Sequence, residues 1–90
     1  MTSKLGITVA VDLSSESALV AAEGQLTVRN VPSLIAVARR AGSSGYGLDI
    51  VVDLRKLTAA DPAAVAMIRD SGWQGNHMLG AGKAGWERAA

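Results

Sequence analysis

The 90-residue chain contains no cysteine and no phenylalanine, one tyrosine, two tryptophans and a single histidine. Without cysteine there is neither a disulfide framework nor thiolate chemistry, which fits a reducing compartment. With one histidine and no thiol, a zinc site would rest on carboxylates, so no metal site is expected. Charge is scarce and balanced, nine Lys and Arg against eight Asp and Glu, and lacks the basic footprint that nucleic acid or an anionic membrane would select. No run approaches the ~18 apolar residues of a membrane span. The opening MTSKLGITVAVDL has no long apolar stretch followed by a cleavage site. These absences predict a single soluble, cytoplasmic domain over residues 1–90, without membrane insertion.

What is present is a thin apolar set. Hydrophobic residues make up 49% of the chain, and much of that is Ala and Val. A domain this small buries a modest fraction of its surface. Burial supplied by a partner, or by a second copy in a homodimer, would add to its stability. Charge is unevenly spread: Lys4 faces Asp12, Glu16 and Glu23 in residues 1–28, whereas five basic residues face Asp49 and Asp53 in residues 29–56. Arg39-Arg40 fit the neutralisation of a helix C-terminus better than phosphate reading.

Along the chain, Leu5, Ile7, Val9, Val11 and Leu13 alternate with small or polar residues, the period of a half-buried strand. Ser14–Ser17 is a polar turn and Ala18–Ala22 a second strand; the two could pair as a hairpin or lie apart. Glu23-Gly24-Gln25-Leu26 ends that strand, with Gly24 placed for a positive φ or a close backbone approach. Asn30 as N-cap and Pro32 in the first turn open a helix whose Val31, Leu34, Ile35, Ala38 and Ala41 share one face. Gly42 stops it. Residues 43–47 form a loop. Leu48–Leu54 reads as a central strand apolar on both faces, the mark of a parallel sheet. Leu57–Ala60 reads as a turn, and Asp61-Pro62 opens a second helix with Ala64, Val65 and Ile68 inward. A short fourth strand over 76–81 and a third helix over 82–90 complete the expectation: an α/β fold, ββαβαβα, with a small mixed, mainly parallel sheet.

Three motifs could carry chemistry. Gly80-Ala81-Gly82-Lys83-Ala84-Gly85 matches GxGxxG literally, but it lacks the second βαβ half and the ribose-binding acid of a dinucleotide fold. It reads as a glycine-rich turn. His77 has no nucleophile or orienting carboxylate at a recognisable spacing and reads as a half-buried strand residue. Asp53 and Asp61 flank the expected turn, where paired carboxylates could hold Mg²⁺ or do acid–base work. The simpler reading gives Asp61 to helix capping and Asp53 to loop amides. Trp73 and Trp86 suit core plugs or an interface equally. No catalytic residue and no cofactor is expected, and the chain does not read as an enzyme.

The stretches VAAEGQLTVRNVPSLIAVARRA and GLDIVVDLRKLTAADPAAVAMIRDSG resemble the STAS domain family, which includes bacterial anti-sigma factor antagonists and the tails of sulfate transporters. The likeness rests on the Gly24-Gln25-Leu26 turn, the helix with proline in its first turn, the buried strand ending in Asp53-Leu54, and Asp61 seven residues later. It covers Val20 to Gly72. The resemblance implies a small mixed sheet with helices packed on it, and function by binding.

In the antagonist branch an Asp-Ser-Ser-Gly segment opens the helix, and a kinase phosphorylates its second serine. Added phosphate at a helix N-terminus remakes a docking interface by charge. Here Asp61 matches the aspartate, Pro62 and Ala63 stand at the two serines and Ala64 at the glycine, so Ala63 offers no hydroxyl. Thr58 is the nearest one. The resemblance therefore implies a regulatory module in sigma-factor partner switching whose usual acceptor is absent. Its docking residues would be Gly24, Gln25, Thr58, Asp61, Pro62, Ala63 and Ala64. Its partner would be an anti-sigma factor kinase or another STAS protein, with a homodimer as a further possibility. The alternative it implies is an accessory subunit of an ABC-type lipid transport system. Family members usually continue through another helix, so by this likeness the chain reads as C-terminally short.

Overall fold

The architecture follows from which strands can be covered. The computed structural model describes residues 4–43, 47–73 and 77–80. In order they form β1 (Leu5–Asp12), β2 (Ser17–Leu26), α1 (Val31–Gly42), β3 (Asp49–Ala60), α2 (Pro62–Asp70) and β4 (Met78–Leu79). The strands make one mixed sheet in the order β1-β2-β3-β4. β1 and β2 pair antiparallel, so the first two strands are a hairpin. β2–β3 and β3–β4 are parallel.

Cross-strand register puts Ile7, Val9 and Val11 on the same face as Ala22, Val20 and Ala18. Ala18 and Val20 in turn align with Ile50 and Val52, and Val52 with Met78. This face carries the core. From α1, Val31, Leu34 and Ala38 pack into it, and from α2, Ala64, Val65 and Ile68, all in one cluster. Trp73 lies half-buried against that cluster, the core-plug arrangement. The second face holds Leu19, Ala21, Val51 and Leu79, all half-exposed. Among the described residues no element is layered on it. Val51 is half-buried on this face and Asp53, two residues on, is buried; the third helix expected to follow β4 lies outside the described residues.

Two element boundaries also differ from the sequence reading. β2 continues through Glu23-Gly24-Gln25 to Leu26, because strand pairing with β3 overrides the poor strand propensity of those residues. β3 continues through Leu57–Ala60, which is strand and not turn. Its register against β2 slips twice, between Ala21 and Glu23 and between Gly24 and Gln25. Each slip is a bulge that adds one residue to β3. The buried positions Leu54, Leu57 and Ala60 are therefore three apart, and the period-two signal vanishes.

α1 ends on Gly42 with Arg39 and Arg40 in its last turn. Asn30 occupies the cap position, but its side chain does not cap the helix. The carboxamide instead spans the preceding turn: Oδ1 accepts from the Thr27 amide at 2.8 Å, and Nδ2 donates to the Gln25 carbonyl at 2.9 Å. Asp61 does cap α2, its Oδ1 accepting from the Ala63 amide at 3.1 Å. β4 is two residues long. The expected third helix, Trp86 and all of the glycine motif beyond Gly80 lie outside the described residues.

Candidate functional site

Because β2 and β3 run parallel, their C-terminal ends finish at the same edge of the sheet, and α1 and α2 both begin there. Ligands of open α/β sheets bind at such ends. The edge is stitched by hydrogen bonds between segments some 34 residues apart. Thr58 Oγ1 donates to the Gly24 carbonyl at 2.9 Å, and the Asp61 amide donates to the Leu26 carbonyl at 2.9 Å. Gln25 donates its amide to the Lys4 carbonyl at 2.9 Å, tying the start of β1 into the same corner.

Between the two helix starts lies a shallow concavity of about 740 Å³, lined by Gln25, Leu26, Thr27, Ala59, Ala60, Asp61, Pro62 and Ala63. Its lining is mostly apolar. Gln25, Ala59, Asp61 and Ala63 are exposed on its rim, whereas Leu26 and Ala60 form its floor. Of the residues expected to dock a partner, Gln25, Asp61, Pro62 and Ala63 line this concavity. Gly24 and Thr58 brace it through their mutual hydrogen bond. Ala64 is placed elsewhere: it is fully buried and its methyl group belongs to the core. Thr27 and Ala59 also line it, and both lie within the two stretches expected to dock a partner, Gly24–Thr27 and Leu57–Ala64.

The arrangement separates the two carboxylates that the sequence set on one turn. Asp53 is an interior residue of β3, aligned with Ala21 and Leu79, and Asp61 lies beyond the strand end. Eight residues of extended chain put them roughly 20–25 Å apart, too far to share a metal ion or a proton. Asp53 is the one buried charged side chain among the described residues. Its Oδ1 accepts from Arg55 Nε at 2.9 Å and from the Arg55 amide at 3.0 Å, and its Oδ2 accepts from Arg55 Nη2 at 3.0 Å. This fork, more than the backbone bond, holds the Asp53 carboxyl below the ordinary value of 3.8, against the opposing effect of burial.

The sign of the linkage follows. A carboxyl lowered in the folded state contributes stability that is complete above its unfolded value and is lost as the pH falls through the folded one. Arg55→Ala removes the guanidinium and leaves the carboxylate buried with a single amide donor. Acid unfolding followed by far-UV circular dichroism is expected to begin at higher pH in this variant. Superimposable acid curves for Arg55→Ala and the parent would show that the fork adds nothing.

His77 is not a half-buried strand residue. It lies exposed just before β4, with Nε2 2.9 Å from Asp49 Oδ1. A carboxylate does orient it, one brought in from 28 positions away and so invisible to sequence spacing. Among the described residues no three His, Asp or Glu side chains come together in a metal-ligating group. No helix there is long and apolar enough to cross a membrane. Comparison of the chain with protein-family models, with curated proteins and with solved structures gave no match.

Proposed function

We propose that the protein is a non-catalytic, STAS-like regulatory module that docks an anti-sigma-factor-type kinase through the concavity at the ends of β2 and β3. The observation that supports this reading best is the convergence of Gln25, Asp61, Pro62 and Ala63 on one apolar depression, braced by the Thr58–Gly24 hydrogen bond. Gln25 and Asp61 carry the family likeness in sequence, Pro62 and Ala63 stand at the family's two serines, and the four come from two separate stretches. The depression joins a capped helix start to a strand end, a rigid platform with little chemistry. Its apolar floor and exposed rim suit contact with a protein surface.

Ala63 is exposed in the first turn of α2, where a phosphate acceptor would stand, and only its backbone amide is engaged. The module therefore binds without being switched at that position. That same fact favours a second reading, an accessory subunit docking an ATPase of a lipid transport system, which needs no acceptor. Affinity purification from the source cell separates the two by whether a soluble kinase or an ATPase with its permease is recovered. With the kinase in hand, Ala63→Arg is expected to weaken binding at least about tenfold, as loss of one well-packed contact does, while thermal unfolding stays unchanged. Labelled ATP and kinase should leave the protein without phosphate. Stoichiometric labelling, or full affinity in Ala63→Arg, would sink the reading.

A further inference from the structure

A second surface is laid out along the opposite side of the sheet. Among the described residues β1 is an edge strand, eight residues long, paired on one side only. It contains no proline, and its register against β2 runs without a bulge from Leu5 to Asp12. Natural edges are blunted by such devices, because a bare row of backbone donors and acceptors is a template for another strand. The apolar face of β1 is also uncovered. Val9 and Val11 stand on the core side of the sheet in register with buried Val20 and Ala18, yet are 42% and 54% exposed; Leu13 just beyond is 62% exposed. Among the described residues α1 packs on β2 and β3, and neither helix packs closely on β1.

We propose that the outer edge of β1 is a homodimer interface, with β1 pairing antiparallel to β1 of a second copy about a two-fold axis through Thr8. The strand's own sequence selects the occupant and the register. With Thr8 opposite Thr8, Ile7 faces Val9, Leu5 faces Val11, and Gly6 faces Ala10. Every apolar side chain meets another on the same face of a continuous sheet. A one-residue slip would set apolar against polar side chains. At the two ends, Lys4 of each copy lies opposite Asp12 of the other, so the only charges in the segment are paired twice by the symmetry. Slipping the register by two residues leaves Lys4 and Asp12 opposite neutral residues, and cross-strand pairs of opposite charge are the favoured ones. A two-fold interface must be self-complementary, and this strand is. The helices of both copies fall on the same side, so Val9 and Val11 of the two chains form one apolar strip between them.

Sedimentation equilibrium over a dilution series tests the proposal on the intact chain. The parent is expected to reach twice the monomer mass at the upper concentrations. Val9→Lys, at an exposed position, should keep the far-UV spectrum and remain monomeric throughout. A parent that stays monomeric at every concentration overturns the proposal, including the case where the edge serves another protein's strand; so does dimerisation of Val9→Lys equal to the parent's. The register is read separately, since the chain has no cysteine. Directly opposed strand residues lie about 4.5–5.5 Å apart at Cα, within disulfide reach. Mild oxidation should link Thr8→Cys into a covalent dimer and leave Ala10→Cys largely unlinked. Preferential linkage through Ala10→Cys overturns the register and with it the two-fold axis at Thr8.

Discussion

Gly24→Ala is expected to cost roughly 3 kcal/mol of stability, combining backbone strain of about 1–3 kcal/mol with the loss of a strand hydrogen bond worth about 0.5–1.5 kcal/mol. Gly24 has φ +99°, a conformation that side-chain-bearing residues rarely adopt, and a Cβ there would sit 2.4 Å from the Lys4 carbonyl oxygen. That oxygen accepts the Gln25 amide, so it cannot retreat without opening the β1–β2 corner. In a domain of this size each kcal/mol moves the melting temperature by about 4–8 °C, and a fall of at least about 12 °C is expected. Gly47→Ala is the control. It has φ +65° with nothing within 4 Å of the added methyl group, so it should cost only about 1–2 kcal/mol, the strain alone. Equal melting temperatures for the two variants would show that the close approach to Lys4 is not limiting.

Leu57→Ala is expected to destabilise the fold by about 2–5 kcal/mol, the range for deleting a buried leucine side chain. Leu57 is 1% exposed and sits between the two bulges of β3. Small domains have about 5–15 kcal/mol in total, so this change removes a large fraction of it. Thr58→Ala, one residue on and exposed, loses the hydroxyl bond to Gly24 and should cost only about 0.5–1.5 kcal/mol. Urea unfolding of both variants measures the contrast. If Leu57→Ala were as mild as Thr58→Ala, the segment would be behaving as the turn that its sequence suggests.

That segment shows where sequence reading stopped working. The β1 alternation, the α1 face and the Asp61-Pro62 helix start were legible because each obeys one local period or one capping rule, and each is an element in the fold. The ends of β2 and β3 were not. There, polar Glu23 and Gln25 are held in strand geometry by the neighbouring chain, and the bulges turn a spacing of two into a spacing of three. The candidate site was legible in its residues but not in its shape, since the sequence reads Leu57–Ala60 as a turn whereas the concavity is built on β3 carried to Ala60. A signal for the buried charge did exist. Asp53 and Arg55 are two apart on a strand, the spacing that puts side chains on one face. The His77–Asp49 contact had no such signal, because it depends on where β4 docks.

The two bulges in β3 also set an arithmetic of parity. From Ala18 to Leu26, the inward residues of β2 are all even-numbered; alongside them β3 uses Ile50, Val52 and Leu54, then Leu57, then Ala60. The first extra residue shifts the inward set from even to odd numbers, and the second shifts it back before α2 begins. Loss of one residue between Leu54 and Leu57 would remove the first bulge and leave Leu57 two positions after Leu54, still facing inward. The same loss within the unbulged run from Ile50 to Leu54 would turn every later side chain over. The bulges are therefore the places where this strand can change its length by single residues, a rule that holds whatever binds at its end.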